Sequence, residues 1–283
     1  MIGQARKLLS RIVQVWKLCG AGTGMGYSLA VLVHLPSILK RRNLQPADAA
    51  MTGSVKLNFH GHPVIVPFTE TDRANVITND GPTFAGIREI LGDEVYLRGF
   101  RRLGELKTFV DLGANRGMVS LMAAAGLGVS KVVAVEAQAE YSACFEVLAE
   151  ANGLTVEQRH RVVKFAGAAD DDTTISVDGL CRQFELERID FLKCDIEGGE
   201  NAVVLGGAPE FWNRVGLVAM ELHPEAGTRT DEIVDSLTAD GFNVSVTDPD
   251  GNPSELMRAT YLYAARDAQD LAYPIAASPR EDR

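Results

Sequence analysis

The sequence predicts an α/β domain built on a mostly parallel, seven-stranded sheet with helices on both faces, preceded by an N-terminal extension. Three observations predict it. From Thr108 onward, short apolar runs alternate with amphipathic helical stretches. Those runs are apolar on both sides, as strands are when helices cover both faces of a parallel sheet. The residues with chemistry fall just after the runs, at the carboxyl ends of strands, where such sheets bind ligands.

In order, the pattern predicts strands at Thr108–Leu112, Lys131–Glu136, Arg161–Ala166, Ile189–Asp195 and Val215–Leu222. Helices are expected at Asn115–Ala125, Glu140–Ala151, Ile175–Phe184, Glu200–Trp212 and Asp231–Asp240. Phe242–Thr247 and Ala259–Ala265 read as an antiparallel pair around the Asp248–Pro253 turn. Residues 48–107 read as a lead-in: a hairpin of Val55–Asn58 and Pro63–Phe68 turned at His60-Gly61-His62, then a helix over Ile87–Leu103. The domain proper spans 108–270, and 271–283 reads as a disordered tail.

Composition narrows the function classes. Of 283 residues, 46% are hydrophobic and 23% charged, which suits a globular protein with a sizeable core. A net charge of −10 repels phosphate backbones and argues against nucleic acid as a partner. Cys19, Cys144, Cys181 and Cys194 form no CxxC pair and meet no His at zinc-site spacing, so they read as free thiols of a cytoplasmic protein. The charge is unevenly placed. Residues 1–47 carry Arg6, Lys7, Arg11, Lys17, Lys40, Arg41 and Arg42 and no acidic residue. Their most apolar run, Tyr27–Leu35, is too short to cross a bilayer, and Gly20, Gly22, Gly24 and Gly26 interrupt any longer one. The stretch therefore reads as a basic amphipathic appendage that could touch an anionic membrane surface peripherally.

Four motifs carry chemistry. The first is Val110-Asp111-Leu112-Gly113-Ala114-Asn115-Arg116-Gly117, between the first predicted strand and its helix. Gly113 and Gly117 allow close backbone approach, and the helix start offers free N–H groups. A dinucleotide loop usually reads GxGxxG. Here an aspartate stands at the strand tip, where it would meet a pyrophosphate badly but an amino-acid ammonium well, so the loop favours S-adenosylmethionine (SAM) over NAD. The second is Glu136, about twenty residues on at the next strand end, placed to accept ribose hydroxyls.

The third motif is Leu192-Lys193-Cys194-Asp195-Ile196-Glu197-Gly198-Gly199-Glu200. Asp195 should face the cleft, with Glu197 on the same loop and Lys193 on the same strand face. Such acids can act as a general base, orient an acceptor hydroxyl or hold a divalent cation. In a simpler role Glu200 caps the next helix electrostatically and Lys193 pairs with Asp195. The fourth is Met220-Glu221-Leu222-His223-Pro224, in which Glu221 and His223 alternate onto one side and His223 can take a proton near neutral pH.

With these motifs in this order, the chain resembles the FkbM-type methyltransferase family over roughly residues 75–265. Val177-Asp178-Gly179-Leu180 and Val204-Leu205-Gly206-Gly207-Ala208 add to the resemblance, and the lysine–aspartate–glutamate–glycine block is its most specific part. The resemblance implies a Rossmann-like class I methyltransferase fold. It also implies O-methyl transfer from SAM, often to sugar, glycolipid or polyketide hydroxyls. Asp111, Gly113, Asn115, Gly117 and Glu136 would bind the donor, with Ala168 and Asp170 in the region of the adenine. Asp195, Glu197, Glu221 and His223 would serve catalysis, with no metal assigned. Ala137 departs from the family, which usually has Pro there. Two other readings are an NAD-dependent oxidoreductase with an aberrant loop and a non-catalytic binding protein on the same fold.

Overall fold

The fold is described from a computed structural model over residues 2–68, 83–207 and 209–276. Most of the predicted tail, 277–283, and Ala208 of the glycine-pair motif lie outside the described residues. The chain divides into two compact units. One comprises residues 1–94, 116–127 and 142–155; the other comprises 95–115, 128–141 and 156–283. These units do not follow the boundaries at 47/48 and 107/108 expected from the sequence.

The first unit opens with α1 (Ile2–Arg41), broken at Gly20 (φ 75°, ψ −178°), and the short α2 (Gln45–Asp48). Leu8–Arg41 is long and apolar enough to cross a membrane by length and composition, although Gly20, one of the glycines expected to interrupt it, breaks the helix. Gly22, Gly24 and Gly26 all sit inside the helix. Gly24 is there for space: a Cβ on it would come within 2.6 Å of the Trp16 ring. Strands β1 (Ser54–Phe59) and β2 (His62–Pro67) form the predicted hairpin, in register Phe59 with His62. His60 and Gly61 both have positive φ (49° and 91°), the requirement of a two-residue type I′ turn. The side chain of Asn152 satisfies the open edge of β2, accepting from Ile65 N at 2.8 Å and donating to Ile65 O at 2.7 Å.

The expected helix over Ile87–Leu103 is much shorter. After α3 (Thr83–Gly86), one wide turn runs Ile87–Gly92, closed by Asp93 N–H on Arg88 O, and Glu94 turns left-handed (φ 50°). Likewise the helix expected from Asn115 begins at α4 (Met118–Leu121), because Gly117 is left-handed (φ 92°). α5 (Ser142–Ala151) completes this unit.

The second unit holds the predicted sheet. Its strands are β3 (Thr108–Leu112), β4 (Lys131–Val135), β5 (Arg159–Val162), then β8 (Ile189–Cys194) and β9 (Val215–Glu221), with β6 (Phe165–Gly167) and β7 (Thr174–Ser176) lying between in sequence. β10 (Asn243–Thr247) and β11 (Tyr261–Ala265) close it. The order is β10-β11-β9-β8-β3-β4-β5, parallel from β9 to β5. β11 runs antiparallel to both β9 and β10. An antiparallel strand inserted there departs from the parallel 3-2-1-4-5-6 order of dinucleotide-binding sheets.

Three elements of this unit differ from expectation. The run Arg161–Ala166 is two strands, because β6 leaves the main sheet to pair with β7. Ser176 then ends β7 and caps α6 (Val177–Phe184), its Oγ accepting from Gly179 N at 2.9 Å, so that helix starts two residues late. The helix expected over Glu200–Trp212 is α7 (Glu200–Leu205) and α8 (Pro209–Trp212). It breaks at Gly206, where a Cβ would lie 2.6 Å from that of Ala168. With α9 (Thr230–Ala239), these helices bury Leu180, Val203, Trp212 and Ile233 against Val110, Leu112, Leu192 and Cys194 on one sheet face. On the opposite face Phe109 stacks on Phe191 with centroids 4.8 Å apart, and Phe100 meets Phe191 edge-on at 5.4 Å. All four cysteines are buried free thiols.

Candidate active site

Strand alternation places Asp111 two residues beyond Phe109 and Lys193 two beyond Phe191, so both emerge on the Phe face, opposite each other in register. Both are buried. Lys193 Nζ lies 3.2 Å from Asp111 Oδ1 and 3.7 Å from Asp195 Oδ2. It also donates to the carbonyls of Leu112 (3.1 Å) and Gly113 (2.7 Å). Burial disfavours its charge, but the two aspartates outweigh it and hold the ammonium above the usual lysine range. The sequence reading gave Lys193 to Asp195. The nearer carboxylate is Asp111.

The turn after β3 is tightly held. Gly113 (φ 73°) presses on the end of β8, where a Cβ would overlap Asp195 O at 1.7 Å. The N–H groups of Gly113 and Ala114 both reach Val135 O at 2.9 Å. Asn115 is left-handed (φ 49°) and its N–H donates to Glu136 Oε2 at 2.8 Å, while Gln138 N donates to Oε1 at 2.9 Å. Each oxygen of Glu136 keeps a second lone pair. Gly117 is described with the first unit, where a Cβ would lie 2.5 Å from the Phe145 ring. Ala168 is exposed beyond β6 and lies against Gly206. Asp170 is a brace rather than an open contact: it accepts from Ser176 N at 2.7 Å and pairs with Arg182.

Beyond β8 and β9 four acids and a histidine converge. Asp195, whose side chain is 23% exposed, accepts from the Tyr96 hydroxyl at 2.8 Å, with Glu221 Oε2 at 3.3 Å from the same hydroxyl. Burial, then Asp195 and Glu221, push the Tyr96 phenol well above its ordinary range, so it stays protonated as a donor. His223 Nε2 stands 3.7 Å from Asp195 Oδ1 and 3.5 Å from Glu197 Oε2, and its Nδ1 is 2.9 Å from Glu200 Oε1. Glu200 is therefore more than a helix cap. It is fully buried and takes His223, the Thr228 hydroxyl (2.7 Å) and the N–H of Gly198 (3.2 Å).

These contacts change the state expected of His223. Its hydrogen bond to Glu200, against burial and reinforced by Glu200, Asp195 and Glu197, pushes it up to about 9. Burial alone would raise Glu200, yet its hydrogen bonds from His223 and Thr228 bring it down to about 2. His223 thus carries its proton at neutral pH instead of waiting to accept one. Because its folded value exceeds the ordinary histidine value of about 6.5, the stability it contributes is full below that value and is lost as pH rises through about 9. Thermal melts should show that alkaline loss, and His223→Gln should abolish it. An unchanged alkaline limb in His223→Gln would show that another group titrates.

The ligand atoms of Asp195, Glu197 and His223 lie within 4.8 Å of one another, a spacing that a divalent cation could share. Tyr96, Glu200 and Thr228 are the site residues that the sequence reading missed or undervalued. Tyr96 lies 99 residues from Asp195, inside a stretch read as helix. A cavity of about 470 Å³ in the first unit, bordered by Gln14, Lys17, Phe59, His60 and Glu94, contains none of the predicted site residues.

The family model described as Methyltransferase FkbM domain matches residues 153–244, a stretch that includes Lys193, Asp195, Glu200 and His223. No curated protein matches this chain in sequence. Among solved structures, the chain is similar to methyltransferase FkbM from Methylobacillus flagellatus KT, at 14% identity and TM-score 0.44 over 81% of this chain and 60% of that one. It is similar to precorrin-6y C5,15-methyltransferase from Geobacter metallireducens GS-15 at 16% identity and TM-score 0.41, over 61% and 85%. An rRNA methylase from Streptococcus thermophilus aligns at 13% identity and TM-score 0.41, over 62% and 94%.

Proposed function

We infer that this chain is an FkbM-type SAM-dependent methyltransferase and that it methylates a hydroxyl oxygen of a sugar, glycolipid or polyketide-type acceptor. The supporting observation is Asp195, a partly exposed carboxylate at the tip of β8 with Tyr96, Lys193 and His223 arrayed behind it. A neutral hydroxyl is a poor nucleophile until a base takes its proton, and Asp195 is placed to take it. The imidazolium of His223 and the ammonium of Lys193 fix that carboxylate and balance its charge.

SAM supplies an electrophilic methyl on a sulfonium, and positioning it in line with the acceptor oxygen provides much of the rate. The chain's own contribution to donor binding is assigned to the turn Asp111–Asn115 and to Glu136, whose spare lone pairs suit two ribose hydroxyls. The adenine role of Ala168 rests on the family resemblance. Glu197 and Glu221, on either side of Asp195, are assigned to orienting the acceptor.

The test is product analysis. Incubation with SAM and panels of glycans, glycolipids and polyketides, followed by mass spectrometry, should yield an O-methylated product. Methylation at nitrogen or carbon only would overturn the hydroxyl reading, as would NAD but not SAM binding in calorimetry. Activity is expected to survive EDTA. Loss of activity in EDTA with recovery on adding magnesium would instead make Asp195, Glu197 and His223 a ligand set.

A further inference from the structure

Within the first unit, α1 has one side fastened and one side bare. Tyr27, Val31 and Ile38 are buried. The Tyr27 ring stacks on Phe84 at 4.9 Å, and its hydroxyl donates to Asp48 Oδ1 at 2.9 Å. Asp48 in turn takes two hydrogen bonds from Arg88, at 2.8 and 2.6 Å. On the other side Met25, Leu29, Leu32, Val33 and Leu39 are 61–68% exposed. Their spacing sets them along one helical stripe, and Leu9, Val13 and Trp16 repeat the pattern before Gly20. A soluble helix normally turns such residues inward.

The charges that α1 itself carries are of one sign, and of these Arg11 is paired with Asp93. Residues 1–47 hold seven of the 28 Lys and Arg and none of the 38 Asp and Glu. Lys17 is exposed on the first half-helix, and Lys40, Arg41 and Arg42 are exposed at the end of the second. Lys40 continues the row of Leu29, Val33 and Pro36. An otherwise acidic chain therefore gathers positive charge beside apolar side chains. That is the chemistry of an anionic lipid interface. A second copy would instead bring like charges together.

We propose that this face of α1 docks on an anionic phospholipid bilayer, with the helix lying in the plane of the interface. It does not cross, because a spanning helix would have to pull Tyr27 away from Phe84 and Asp48 and leave its hydroxyl unpaired in hydrocarbon, where a polar atom is costly. Leucines and Trp16 enter the acyl boundary while the basic residues remain among the headgroups. The proposal is independent of the acceptor and of the reading of Asp195.

Deleting 1–47 would strip Tyr27 and Val31 from the unit's core, so the test uses surface substitutions in the full chain. The protein should co-sediment with phosphatidylcholine vesicles containing phosphatidylserine at low salt, and much less with phosphatidylcholine alone. High salt should weaken the binding. Leu29→Glu with Leu32→Glu should reduce it at least about tenfold with unchanged circular dichroism and melting temperature. A wild-type chain that stays in the supernatant with anionic vesicles would overturn the proposal, and so would a double variant that binds like wild type. Resistance of the bound protein to alkaline carbonate would show a span and overturn the in-plane arrangement.

Discussion

Asp195→Asn should lower the single-turnover rate by about 10²–10⁴-fold while SAM affinity stays within a few-fold. The amide keeps the size of the carboxylate and can still accept from Tyr96 OH, now 2.8 Å from Oδ2, but it cannot take the acceptor's proton. Lys193 loses its more distant partner at 3.7 Å and retains Asp111 at 3.2 Å, so the fold should hold. Rapid-quench kinetics and calorimetry separate the two quantities. A variant that turns over at the wild-type rate would move the proton acceptor elsewhere, with Glu221 next to be tested because it faces the same Tyr96 hydroxyl.

The second large effect lies beneath the donor loop. Asp111→Asn should destabilise the protein by about 3–5 kcal/mol, because removing one member of a buried ion pair leaves the other poorly compensated. Asp195, 3.7 Å from Lys193, should hold the loss toward the lower end. The same substitution should weaken SAM binding at least tenfold, since Lys193 anchors the carbonyls of Leu112 and Gly113 and so sets the course of the turn. These consequences can be separated. Replacing both partners by apolar residues, Asp111→Leu with Lys193→Met, should recover stability in urea melts, because no buried charge remains. It should not recover SAM affinity. If the double variant binds SAM like wild type, Asp111 serves the fold alone; if Asp111→Asn changes neither quantity, the assignment fails.

The strand ends were legible because apolar runs of five or six residues stop where polar residues begin. β3 was bounded to the residue from its run, and β4, β8 and β9 each ended one residue short of expectation. Asp111, Glu136 and Asp195 could therefore be placed beside those ends from spacing alone. The split of Arg161–Ala166 into β5 and β6 was not legible, since an apolar run does not say which neighbour it will pair with. Nor was the irregular course of Val95–Leu103. It follows the Phe face of the sheet, with Gly99 so close to the Tyr263 ring that a Cβ would sit 2.0 Å from it, and no local periodicity encodes that fit. The continuation of α1 through Gly22, Gly24 and Gly26, though not Gly20, was missed for a related reason: low propensity is overridden when burial of Tyr27, Val31 and Ile38 stabilises the helix.

The sequence by itself determined the alternation of strands and helices, the aspartate-tipped glycine turn, and the acids that end two neighbouring strands. Those features depend on residues within about ten positions of one another, the range over which period and turn chemistry act. Tertiary structure alone decided the electrostatic state of the site. It gave Lys193 to Asp111 as well as Asp195, set Tyr96 on Asp195 from 99 residues away, and enclosed Glu200 with His223 and Thr228. Proton affinities answer to distances of 3–4 Å and to burial, and both are properties of packing rather than of sequence order. His223, ordinary as a residue type, becomes a cation at neutral pH only because three carboxylates from the segment 195–200 close around it.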